Sequence, residues 1–282
     1  MSPDDPLSHC RTLLREADYD RFGSLSFLTA DAADAAAALF ALDVEISRIP
    51  FLVSEPAPGE IRLQWWREVI GGARESGGNP VAEALSRAIS AHHWPLPTFD
   101  RYFDARVADL YHDPFPDRLS FEGHAGDTAS ALLRLVAMAS RAQPGAALDD
   151  ACGHSGIVFT VARCLQALAR DRQRQRVMIP SDILAATGLD AATFTAGAPD
   201  KRHTAAIEAF AAFGMDHLAK ARDAARNIDP AGRLALVSVA PSVRLVEKAM
   251  RNPQMVLSGN LHQSPLASFW RMWRASRSQR SI

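Results

Sequence analysis

The chain is expected to be all-α, and three observations point that way. Alanine, leucine and arginine dominate its 282 residues. Apolar positions recur three and four apart, and the alternation of a half-buried strand is scarce. With no internal repeat, no low-complexity tract and no linker long enough to separate domains, residues 1–282 are expected to fold as one helical domain with a sizeable core.

A first helix is expected over about Leu7 to Phe22. A second, capped by Asp31, runs through AADAAAALFALDVEISRI, where the density of alanine suggests packing on several sides. Pro50 kinks or ends it. Pro56, Pro58 and Gly59 read as a turn, and Glu60 to Ile70 as a helix with negative charge near its N-terminus. The stretch GGARESGGNP closes that helix and starts another at Pro80. Further helices are expected at about 97–112, 120–141, 147–170, 203–227, 231–250 and 263–277, with a short one near 181–187 and a surface loop at DPFPD, 113–117.

Composition narrows the function. With 31 basic and 32 acidic residues the net charge is −1, so no global field draws the chain to nucleic acid, and any basic site must be local. Cys10, Cys152 and Cys164 are an odd number without metal-binding spacing, which fits free, buried thiols in a reducing compartment. The acidic N-terminal stretch is unlike a secretory signal, and no uncharged apolar run reaches the length of a transmembrane helix. The expected location is cytoplasmic, or peripheral to the inner membrane. The nine histidines show no HExxH or other paired spacing, and there is no Gly-rich phosphate loop, GxSxG elbow or dinucleotide fingerprint.

The segment RCLQALARDRQRQRVMIP, Arg163 to Pro180, carries Arg163, Arg170, Arg172, Arg174 and Arg176 against one acid, Asp171. Together with AALFALDVEISRIPFLVSEPAPGEIRLQWWREVIGG and with DARVADL at 104–110, it resembles the squalene/phytoene synthase family over most of residues 5–190. The resemblance implies the isoprenoid synthase helical bundle with a central cavity. In active members two Asp-rich motifs face each other across that cavity and hold Mg²⁺ on a departing diphosphate. Here the first motif falls on Glu45-Ile46-Ser47-Arg48, with Ser47 and Arg48 where paired aspartates would stand. The second falls on Arg163 to Asp171, with Gln166 and Ala167 in place of its Arg-Asp pair. Arginines repel a metal, by about 3 kcal/mol per unit charge at ~6 Å and an effective dielectric of ~20.

These departures, with GEIRLQWWREVI and the basic exit, are similar to the branch of that family formed by a mitochondrial complex I assembly factor. The resemblance therefore implies a non-catalytic accessory role in building NADH dehydrogenase, with a respiratory complex I subunit or assembly intermediate as partner and no cofactor. Two alternatives stay open. One is an active head-to-head prenyltransferase using Mg²⁺ with Glu45, Asp109 and Asp171 as residual catalytic and metal-binding residues. The other is a binder of prenyl diphosphate or lipid, in which Arg48, Arg163, Arg170, Arg174 and Arg176 fork onto the anion without metal.

Other residues admit two readings. Asp100 and Asp104 form a DxxxD that is either a displaced metal clamp or a solvated face paired with Arg101 and Arg106. Trp65 and Trp66 lie in an amphipathic helix whose Ile61, Trp65 and Val69 share a face, and they either pack in the core, which is the expectation, or contact a ligand. The C-terminal SFWRMWRASRSQRSI carries Arg271, Arg274, Arg277 and Arg280 without an acid. It either lies on an anionic membrane or docks through Trp270 and Trp273 with its arginines in water.

Overall fold

The computed structural model describes residues 5–278, which form helices and connecting loops with no strand among them. Arg280 lies outside the described residues. The bundle is built around α3 (Ala30–Leu52), whose Ala32, Ala33, Ala35–Ala38 and Ala41 are all buried. Small side chains leave room for α1 (Pro6–Ala17), α5 (Pro80–His92) and α8 (Ala131–Ala139) to pack closely on it. A second layer consists of α9 (Ala146–Gln173), α12 (Lys201–Ala225) and α14 (Ala240–Arg251), which pack on one another. The remaining α-helices are α2 (Tyr19–Ser24), α4 (Pro56–Ile70), α6 (Leu96–Ala108), α7 (Arg118–Ala125), α10 (Ser181–Ala186), α11 (Ala191–Thr195), α13 (Pro230–Ala235), α15 (Pro253–Leu257) and α16 (Pro265–Arg277).

Three helices expected as continuous are interrupted. The first breaks at Asp18, whose carboxylate caps the amide of Arg21 at 3.2 Å and restarts the chain as α2. The expected 120–141 helix contains a π-helical turn at Gly126–Ser130, between α7 and α8. Such insertions re-aim side chains and recur at functional sites. Here the turn packs against α9, where Gly156 admits the backbone of Ser130; a Cβ at Gly156 would stand 2.6 Å from the Cα of Ser130. The 231–250 stretch is divided into α13, a 3₁₀ turn at Val237–Val239 and α14. Pro50, in contrast, does not end α3, which continues to Leu52. The proline ring removes only the amide that would bond the carbonyl of Ile46, with two residues of helix left to run.

Candidate functional site

A cavity of about 620 Å³ opens among α2, α3, α6, α7, α9 and the chain leaving α9. Ser47 and Arg48 of α3 and Gln166, Ala167 and Asp171 of α9 all line it, so the two segments aligned with the Asp-rich motifs do converge. The wall carries six arginines, at 21, 48, 106, 163, 170 and 176, against three aspartates, at 43, 109 and 171. That leaves an excess of three positive charges.

The carboxylates are engaged by protein cations. Asp43 accepts from Arg21 Nη1 at 2.5 Å, Arg106 Nη2 at 2.6 Å and the Tyr102 hydroxyl at 2.7 Å. Burial raises the proton affinity of Asp43, but the charges of Arg106 and Arg21 outweigh it and hold this carboxyl below the ordinary carboxylate range. Burial, followed by the charge of Asp43, pushes the Tyr102 phenol well above its usual value. Arg106 also donates from Nη1 to Asp109 at 3.0 Å, and the other Asp109 oxygen meets His124 Nε2 at 2.9 Å. Burial acts upward on Asp109, yet its hydrogen bond to His124 and the nearby charges bring it down. Arg21, Asp43, Arg106, Asp109 and His124 thus form one chain of charge-assisted contacts. The guanidinium of Arg21 is further held between the rings of Phe40 and Phe159, at 4.7 and 4.4 Å.

At the cavity mouth the charge is less well matched. Phe51, one turn beyond Ser47, is ringed by three guanidiniums: Arg170 and Arg174 at 5.2 Å and Arg176 at 5.1 Å. The nearest carboxylate contact in that group is Arg170 to Asp171, at 3.4 Å. Burial, together with Arg170 and Arg174, lowers the proton affinity of Arg176 against the pull of Asp171 and Asp109, and its buried Nε has no protein partner. Arg163 approaches Asp18 at 3.8 Å.

Glu45 is not part of the cavity wall. Its carboxyl is raised by burial against the opposing pull of Asn79, His9 and Arg48, and neither Asn79 nor His9 lines the cavity. Asp109 and Asp171 do line the cavity, but without Glu45. Among the described residues no three Asp, Glu, His or Cys side chains are grouped to hold a metal ion. The donor set does not fit the several magnesium ions that prenyl diphosphate ionisation requires. Two of its three aspartates are already bonded to arginine, and the third has Arg170 beside it.

Several local expectations are corrected. Asp104 pairs across helices with Arg67 at 2.5 Å, and Arg101 approaches Asp127 at 3.5 Å. Arg106, expected on the solvated face, turns inward to Asp43 and Asp109. Ile61, expected in the core, is 71% exposed, whereas Val69 is buried and Trp65 packs against the core as expected, and α4 also buries Leu63, Trp66 and Ile70. Trp270 and Trp273 face outward, while α16 docks through Ser268 and Met272.

Sequence reading missed Asp43, Arg21, Arg106, Tyr102 and His124. One signal was available: Asp43 is an acid inside an apolar helix expected to be packed on several sides, so it required a buried cation. Its partners come from helices 22 and 63 residues away and could not be read from spacing.

The surrounding fold has solved counterparts. A dehydrosqualene synthase crystallised with ligand superposes with a TM-score of 0.76 at 12% identity, covering 95% of this chain and 94% of the other. A squalene synthase from Alicyclobacillus acidocaldarius gives 0.72 at 15% identity, over 88% and 94%. At these identities the likeness shows the isoprenoid synthase fold alone. In sequence, this chain is similar to the bovine protein named NADH dehydrogenase (ubiquinone) complex I, assembly factor 6, with 27% identity over 94% of this chain and 81% of that protein. The human protein of the same name is 25% identical over 94% and 81%, and its Drosophila melanogaster homolog 24% over 86% and 75%. The squalene/phytoene synthase profile matches residues 14–271, and the chain belongs to that family.

Proposed function

We propose that this protein is a non-catalytic factor in the assembly of NADH dehydrogenase, acting by contact with a complex I subunit or assembly intermediate. The observation that carries the reading is similarity to assembly factor 6 over nearly the whole chain. The cavity supports it. Its Asp-rich motif positions hold Ser47, Arg48, Gln166 and Ala167, and its buried carboxylates neutralise arginines in place of metal. The protein then needs no magnesium and expels no diphosphate.

Two measurements test this. Deleting the gene should lower assembled NADH dehydrogenase on native gels and leave cellular isoprenoids unchanged. Purified protein given farnesyl or geranylgeranyl diphosphate with Mg²⁺ should release no diphosphate. Release that vanishes in Asp171→Asn would replace this reading with an active prenyltransferase.

The three guanidiniums around Phe51 favour a second role for the same cavity, metal-free binding of a phosphoryl head group. Arg48, Arg163, Arg170, Arg174 and Arg176 would meet the anion, and Val44, Phe159 and Met178 an apolar tail. Calorimetric titration with farnesyl diphosphate in the presence of a chelator tests it. Binding that requires added Mg²⁺ would refute it.

A further inference from the structure

α16 is amphipathic in the opposite sense to the docking expected for its tryptophans. At 3.6 residues per turn, Leu266, Trp270, Trp273 and Arg277 fall within about 60° of arc. Ser268 and Met272 lie on the far side. Met272 decides the orientation: its methyl group sits over Gly23 of α2, where a Cβ would come within 2.9 Å. With Met272 fully buried in that slot and Ser268 nearly so, the two indoles must point away from the bundle. Leu266 is 84% exposed, Trp270 51% and Trp273 41%, and Phe269 extends the patch beside the ring of Phe27, at 5.4 Å.

The charge on that face has one sign. α16 contains no Asp or Glu between Pro265 and Arg277. Arg274 lies over the Trp270 ring at 4.8 Å and Arg277 over the Trp273 ring at 4.7 Å, so each exposed indole carries a guanidinium. The nearby acids belong to the inward side: Asp20 lies beside the buried Ser268, and Glu247 faces Arg271 and pairs with Arg244 at 3.3 Å. Aromatic rings that favour the water–hydrocarbon boundary, set among arginines free to meet phosphate, suit the head-group region of an anionic bilayer. No helix among the described residues is long and apolar enough to cross a membrane, so this contact would be peripheral.

We infer that the outward face of α16 is a docking surface for an anionic lipid bilayer, with Trp270 and Trp273 entering the head-group layer and Arg274 and Arg277 meeting lipid phosphates. This rests on α16 and its seat on α2, independently of the assembly reading. Flotation of the full chain with vesicles tests it. The protein should rise with equal mixtures of phosphatidylcholine and phosphatidylglycerol, stay down with phosphatidylcholine alone, and detach in high salt. Arg274→Ala with Arg277→Ala should weaken binding roughly thirtyfold, given the usual worth of a basic residue at an anionic surface. Trp270→Ser with Trp273→Ser should abolish it. All four side chains are exposed, and an unchanged thermal transition confirms that each variant is folded. Brominated lipid should quench wild-type tryptophan emission and leave that of the tryptophan double variant unaffected. Absence of wild-type binding, binding indifferent to lipid charge, or equal binding by the variants would overturn the inference.

Discussion

Asp43→Asn is the most informative single change in this protein. It removes the charge that buried Arg21 and the partly buried Arg106 share while keeping the shape of the side chain. Arg21 is left with Asp18 at 3.9 Å, and Arg106 with Asp109. Breaking a buried ion pair from one side costs about 3–5 kcal/mol, because the remaining cation is stranded away from water. With a urea m-value of about 3 kcal/mol/M, that is a drop of roughly 1–2 M in the unfolding midpoint at pH 7. The pH dependence gives a second signature. Asp43 is held below its unfolded value, so its stabilising contribution is complete above about pH 4–5 and is lost as pH falls through the depressed native value. Wild type and variant should therefore differ most near neutrality and converge in acid. Urea melts followed by circular dichroism across pH 2–8 (a range of about six units spanning the carboxylate values) measure both effects. A cycle adding Arg106→Met should show coupling of about 0.5–3 kcal/mol. A midpoint loss below about 0.2 M, no more than the ~0.5 kcal/mol of an ordinary surface change, would refute the argument that this network is buried and interdependent.

Gly156→Ala should lower the melting temperature by about 2–5 °C in calorimetry, since the added methyl meets the Ser130 backbone and overpacking of this kind costs about 1–3 kcal/mol. Burial pushes the thiols of Cys10 and Cys152 up to about 12, so both should resist alkylation at pH 8 in the native protein and react fully in denaturant. Cys164 is also pushed up to about 12, by burial and then by Asp171 and Asp109, but its side chain lines the cavity and should be the first thiol modified by a small reagent. Gly23→Leu should displace Met272 and loosen α16, seen as faster proteolysis C-terminal to residue 264 with the rest of the chain still resistant.

The sequence by itself determined the helical class and the family. It also determined the reversal of charge at the two motif positions, because helical periodicity and residue identity are local properties of the chain. That Ser47, Arg48, Gln166, Ala167 and Asp171 would share one cavity followed from the resemblance, and the structure places them there. Only tertiary packing decided which carboxylates enter that cavity. Glu45 and Asp43 are two residues apart on α3, about 200° around a helix. One faces Asn79, and the other receives Arg21 and Arg106 from distant helices. The same holds for α16. Its pattern of tryptophan and arginine is visible in sequence, but the side that faces the bundle is set by the fit of Met272 over Gly23, and nothing in local periodicity reports a contact made across about 250 residues of chain.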